Sequence, residues 1–244
     1  MALALHCTLG HSGAWRGLGT ALAHEVTLTA IDLPSHGQST DWDGKTDFQA
    51  ACVGAARPFL TAPVDLIGHS FGATVALRLA VETPALVRSL TLIEPVFFAA
   101  AALDAPQVLA THQAEEALCA AALVDQDMAL AARLFNRTWG DGTPWHDYPE
   151  KTRVYMTDRM HLIPAQAPSI IEDTHGLLAP GRLARVTAPT LLVEGAQSPP
   201  VIAAIHAALA ARLPNARRQV IAGAGHMAPI THPQAVAAAI MTLP

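Results

Sequence analysis

Residues 64–72 read VDLIGHSFG, in which Gly68, Ser70 and Gly72 make the pattern Gly-x-Ser-x-Gly. An apolar run of strand length precedes the serine, and the helical stretch ATVALRLAVE follows the second glycine. A serine at so sharp a strand-to-helix turn takes a strained backbone, and side chains on the flanking glycines would strike neighbouring elements. The turn lifts the hydroxyl above one edge of a sheet and sets it at a helix N-terminus. There the backbone N–H of Phe71 points to where an oxyanion would form. Those are the parts needed for nucleophilic acyl transfer. His69 holds the variable position of the pattern, where it either lines a pocket or packs.

The rest of the chain supplies elements to hold that turn. Apolar runs at 3–5, 26–31, 64–67, 90–93, 190–193 and 219–221 read as buried strands. Helical patterns near 15–24, 47–60, 72–81, 201–213 and 234–242 separate them, and such alternation predicts a parallel sheet wound with helices on both faces. About six strands are expected. From 97 to 179 the rhythm breaks, with helical patterns and no strand. Met128, Ala131, Ala132, Phe135 and Trp139 share one helical face that ends at Gly140. Pro149 suits the first turn of a helix running towards His161, and Ser169 suits the N-cap of a third short one before Gly176. An insertion of this length is too long for a loop and reads as a helical cap. The expected organisation is a core of 1–96 and 180–244 with a cap of 97–179.

Composition narrows the function classes. The 244 residues suffice for one large domain, and 51% hydrophobic with 14% charged residues argues against disorder. A net charge of −5 leaves no basic field for nucleic acid or anionic lipid. No apolar stretch approaches the roughly 20 residues of a membrane-spanning helix. Cys7, Cys52 and Cys119 lie far apart without CxxC spacing, which reads as reduced thiols. The opening MALALHC lacks the basic region of a signal peptide, so a cytoplasmic location is expected. The His and acidic residues show no metal-binding spacing and no Gly-rich phosphate loop is present, so no metal or organic cofactor is expected. A small-molecule substrate is the expected partner; the oligomeric state stays open.

Four landmarks in order give the chain a resemblance to the α/β-hydrolase fold superfamily: LHCTLGHSGAW at 5–15, AIDLPSHGQS at 30–39, the serine turn, and GAGHMAPITHP at 223–233. The second resembles the D-x-P-G-H-G-x-S signature, with Ser35 in place of the first Gly. The resemblance implies an α/β-hydrolase fold with Ser70 as nucleophile and His226 as base among 12 histidines. His232 is then structural and His36 a loop organiser. The loop after the first strand usually carries His-Gly. Here it reads His6-Cys7, which makes the N–H of Thr8 the second oxyanion donor beside Phe71. Cys7 is a weaker rival to Ser70 as nucleophile.

The acid is not where the resemblance places it. In most of the family it follows the strand matching 190–193, and that position in LLVEGAQSPP is Ser198. From Gly195 to Pro244 there is no Asp or Glu. Glu94, ending SLTLIEP, stands at the end of the neighbouring strand, where one subgroup of haloalkane dehalogenases carries its acid. Glu194 is the rival, and a dyad without a carboxylate stays open.

Serine, histidine and two N–H donors imply a serine hydrolase that forms an acyl-enzyme, acting on carboxylic esters. Carbon–carbon, thioester or lactone hydrolysis uses similar triads, and a non-catalytic ligand-binding protein of the same fold is the reading from another class. The cap is expected to set specificity, with Phe98, Phe135, Trp139, Tyr155 and His69 as pocket candidates. Arg133, Arg153 and Arg159 are candidates for recognising a substrate carboxylate.

Overall fold

The structure is a computed structural model describing residues Met1–Pro244. Its strands are β1 (Ala2–Leu5), β2 (Leu28–Ile31), β3 (Val64–His69), β4 (Val87–Ile93), β5 (Thr190–Gly195) and β6 (Ala216–Ile221). All pair in parallel, in the order β2-β1-β3-β4-β5-β6. The chain winds first to one side of β1 and then crosses to the other. The crevice at that reversal, beyond the C-terminal ends of β1 and β3, is where open α/β sheets hold their ligands.

The helices are α1 (Arg16–Leu22), α2 (Phe48–Ala56), α3 (Phe71–Glu82), α4 (Phe98–Asp104), α5 (Pro106–Glu115), α6 (Ala117–Val124), α7 (Met128–Trp139), α8 (Glu150–Asp158), α9 (Leu162–Ile170), α10 (Pro200–Ala210), α11 (Ala228–Thr231) and α12 (Pro233–Ile240). Strand alternation sorts the core into two layers. Leu3, Leu5, Leu66, Leu90, Leu92 and Leu192 face α2, α3 and α10. Ala2, Ala4, Ile67, Ile93, Leu191 and Val193 face α1 and α12. Each fully buried Leu contributes roughly 1.5–3 kcal/mol, so these two layers carry the fold.

Helices α4–α9 all lie between β4 and β5. They bury a small cluster of their own, in which Ala122, Ala131, Ala132 and Met160 enclose Leu9 from the loop after β1. That contact seats the insertion on the sheet's C-terminal edge. No helix is long and apolar enough to cross a membrane.

Several boundaries differ from the sequence reading. Strand β6 starts at Ala216, earlier than 219, because it is an edge strand whose Arg217 and Arg218 are exposed. The apolar run at 26–31 enters the sheet only at Leu28. Helices α4, α5 and α6 have no separate signature in their Ala-rich sequence. Ser169 is not an N-cap. It lies in the last turn of α9, where its Oγ donates to Gln166 O at 2.8 Å, so the helix expected after it runs before it.

Candidate active site

Ser70 joins β3 to α3 with φ +56° and ψ −119°, a conformation costly for a residue with a Cβ. Its N–H donates to Ile93 O at 2.9 Å, which registers the turn against β4. A Cβ on Gly68 would lie 2.5 Å from Ala73 Cα, and one on Gly72 would lie 2.3 Å from Leu5 O. Both glycines are therefore steric necessities of the turn. The serine side chain does not cap α3 and faces a cavity. Phe71 opens the helix, so its N–H has no partner within it.

The carboxylate nearest His226 is Glu94. Its Oε2 lies 3.0 Å from His226 Nδ1, with Glu94 fully buried and His226 nearly so. Its Oε1 accepts from Gly195 N–H at 2.6 Å and Ser198 Oγ at 2.7 Å. Like Ser70, Glu94 sits at a positive φ, +51°, just past the end of its strand. Glu194 is engaged elsewhere: Oε2 lies 3.0 Å from His206 Nδ1, and Oε1 accepts from Arg218 at 2.9 Å. Burial pushes its carboxyl up, but His206 and Arg218 outweigh that and hold it below the ordinary range.

The loop after β1 rests on two histidines. His6 Nδ1 lies 2.7 Å from Cys7 O, while its Nε2 accepts Leu33 N–H at 3.0 Å. His36 Nδ1 lies 2.9 Å from Pro34 O, and its Nε2 accepts Leu9 N–H at 3.2 Å. Both patterns need a neutral ring protonated at Nδ1. Burial above all, with the neighbouring His36 for His6 and Arg159 for His36, lowers His6 to about 3 and His36 to about 4. Thr8, between these anchors, is buried and lines the same cavity as Ser70. Its Oγ1 lies 3.0 Å from Gln166 Oε1 and 2.8 Å from Gln166 Nε2, tying the loop to α9. Burial pushes the Cys7 thiol up to about 12, so it is no thiolate nucleophile.

The cavity over Ser70 measures about 230 Å³. Phe98, Phe135 and Trp139 line it, and the Trp139 ring stands 4.6 Å from that of His226, edge to face. Two pocket candidates are elsewhere. His69 is not part of the lining: its Nε2 lies 2.9 Å from His226 O, and burial, then the neighbouring His226, lowers it to about 3. A neutral His69 therefore donates to the backbone carbonyl of His226. Tyr155 lines a separate cleft of about 840 Å³, donates to Gly10 O at 2.8 Å and accepts from Gly37 N–H at 3.0 Å. Thr8, Phe135 and Trp139 border both spaces. None of Arg133, Arg153 and Arg159 reaches the cavity over Ser70, and Arg159 instead donates to Ser35 O at 2.8 Å.

Sequence reasoning missed Gln166 and His112, which line the cavity from α9 and α5. Lone polar residues in Ala-rich helices carry no signal before those helices are docked. No group of three or more His, Cys, Asp or Glu side chains is arranged to hold a metal ion.

With this geometry in place, comparison with known proteins gives a consistent result. The model of the alpha/beta hydrolase family matches residues 2–239. A pimeloyl-[acyl-carrier protein] methyl ester esterase of Methylococcus capsulatus is 38% identical over 86 residues, which are 34% of this chain and 32% of that protein. Lipase LipV of Mycobacterium tuberculosis is 36% identical over 110 residues, covering 43% and 40%. The alignments thus span well under half the length of these curated relatives. Among solved structures, MenH from S. aureus superposes with a TM-score of 0.68 at 17% identity, covering 98% of this chain and 91% of that one.

Proposed function

The chain belongs to the alpha/beta hydrolase family, and from that premise we propose that it is a serine hydrolase cleaving carboxylic esters through a Ser70–His226–Glu94 triad. One observation carries the reading. Glu94 and His226 meet at 3.0 Å in a buried pair, at the sheet edge that also presents the strained Ser70.

In this reading Glu94 holds the proton of His226 on Nδ1 and leaves Nε2 as the base. His226 takes the proton of Ser70 Oγ as that oxygen attacks the ester carbonyl. The tetrahedral oxyanion is met by the N–H groups of Phe71 and Thr8, each such donor being worth about 2.7–4 kcal/mol of transition-state stabilisation. The imidazolium then protonates the leaving alcohol, and an acyl-Ser70 ester remains. Water, deprotonated by His226, releases the acid and restores the hydroxyl. The helices of the 97–179 insertion act as the lid that selects the acyl group.

Ester hydrolysis is favoured over carbon–carbon or lactone cleavage because relatives named as a methyl ester esterase and a lipase match this chain. The test is a panel of p-nitrophenyl esters of graded chain length, run beside Ser70→Ala and fluorophosphonate labelling. Ser70-dependent turnover with labelling at Ser70 is expected. Failure to label the folded protein would favour a ligand-binding role instead.

A further inference from the structure

Gln166 is a polar side chain in apolar company. It lies on α9, 3% exposed, and lines the cavity of Ser70 beside Ile163 and Ile170. An amide buried among apolar groups costs free energy unless it is hydrogen-bonded. Both atoms of this amide bind a single group. Nε2 donates to Thr8 Oγ1 at 2.8 Å, and Thr8 Oγ1 lies 3.0 Å from Oε1, to which it donates. The amide makes no other hydrogen bond, and neither does Thr8 Oγ1.

Thr8 is held from its other side as well. The Cys7–Thr8 peptide is trans, so Cys7 O and Thr8 N–H point in opposite directions. Cys7 O meets His6 Nδ1 at 2.7 Å and accepts from Gly10 N–H at 3.1 Å. The next N–H, of Leu9, goes to His36 Nε2, and Leu9 itself sits at φ +62°. Thr8 N–H donates to no group of the protein. The core therefore fixes the carbonyl end of the peptide that carries this N–H. Gln166 fixes the Thr8 side chain beyond it, and with it the rotation of the peptide between the two.

Resting on the assignment of Thr8 N–H to the oxyanion, we infer that Gln166 is a positioning residue. Through it, the helices between β4 and β5 complete the oxyanion hole by clamping Thr8 from above the sheet. Gln166 acts through Thr8 and not on the substrate. A donor already aimed at the developing charge stabilises the transition state without rearranging, and a loosened one does not. The effect falls on the transition state more than on the bound ester, so kcat carries it.

A double-mutant cycle on p-nitrophenyl butyrate tests this. Thr8→Val removes Oγ1 and keeps the backbone N–H, while Gln166→Leu removes the amide and keeps its bulk. Each should lower kcat about tenfold, the size of one net hydrogen bond, with KM little changed. The double variant should also lose about tenfold, since the second change has no bond left to break. Thr8→Ser, which keeps the hydroxyl, should stay close to wild type. Losses that add to about a hundredfold in the double variant would overturn the inference. So would an unchanged kcat in either single variant, or a loss confined to KM. If Gln166→Leu does not fold, Thr8→Val against Thr8→Ser decides, and equal kcat in those two overturns it. The rate at which a fluorophosphonate labels Ser70 is read on the same variants, because its phosphoryl oxygen enters the same hole whichever bond the protein cleaves. The same pattern in that rate without ester turnover would sink the ester reading and leave this one standing. A wild-type protein that neither turns over nor labels would overturn both.

Discussion

Ser198 donates its hydroxyl hydrogen to Glu94 Oε1 at 2.7 Å. The residue that stands at the family's usual acid position therefore holds the Glu94 carboxylate of the neighbouring strand in place. Together with Gly195 N–H it occupies one carboxylate oxygen and leaves the other to His226.

Glu94→Gln should lower kcat on p-nitrophenyl esters by about 10⁴, the loss expected when the base is held in the wrong tautomer. The amide can still accept from Gly195 and Ser198 through its oxygen. Its NH₂ then faces His226 Nδ1 and forces the ring proton onto Nε2, away from the work of a base. Glu194→Gln, which touches only the His206–Arg218 cluster, should leave kcat within severalfold of wild type. Near-normal turnover in Glu94→Gln would refute the assignment.

Ser198→Ala removes one of two donors to the same oxygen. A hydrogen bond to a charged group contributes about 1.5–3 kcal/mol, and Gly195 N–H remains. The expected result is a roughly tenfold loss in kcat with KM little changed, since the acid acts through His226 and not on the substrate. A change confined to KM would place Ser198 in the substrate site instead.

Ser70→Gly should make the protein more stable while ending its activity. Positive φ at a non-glycine residue costs about 1–3 kcal/mol, and glycine relieves it. At this chain length that corresponds to a rise in Tm of about 2 °C or more. Ser70→Ala, which keeps the Cβ, is the control and should show little of the gain. Equal melting temperatures for the two variants would show that the turn stores no strain.

Stability should fall with pH on the acid side of neutrality. His36 is neutral in the folded protein, lowered from 6.5 to about 4 by burial above all. Between those values the unfolded chain binds a proton that the folded chain refuses, so the stability difference shrinks as the pH falls through that window. The loss from His36 amounts to roughly 3 kcal/mol at its lower end. His6 and His69, both lowered to about 3, act in the same direction. Urea unfolding at pH 7 and pH 4.5 measures it. His36→Gln, which does not titrate but still offers Leu9 N–H an acceptor, should lose less. An identical loss in that variant would remove His36 from the account.

What could be read from the sequence follows physical lines. Ser70 announced itself because the turn it occupies needs particular glycines, and those leave a fixed local pattern. Glu94 is a candidate from sequence because a strand end is a place with a direction, and it and Glu194 are the two carboxylates at such places near the expected acid position. Of the two readings open for His69, lining or packing, the structure shows packing, because its ring meets the His226 carbonyl. Tyr155 went to the outer cleft because its hydroxyl is claimed by Gly10 and Gly37. His112 and Gln166 were invisible because their importance comes from the docking of α5 and α9, which no local pattern encodes.

The amide hydrogens of Ser70 and Glu94 are donated to Ile93 O and Val193 O, on the central strands themselves. Such hydrogens exchange with solvent only when the sheet opens, so their protection should equal that of the whole protein. Ser70 and Glu94 are thus spaced by the sheet's own ladder. Motion of the helices between β4 and β5 leaves that spacing untouched.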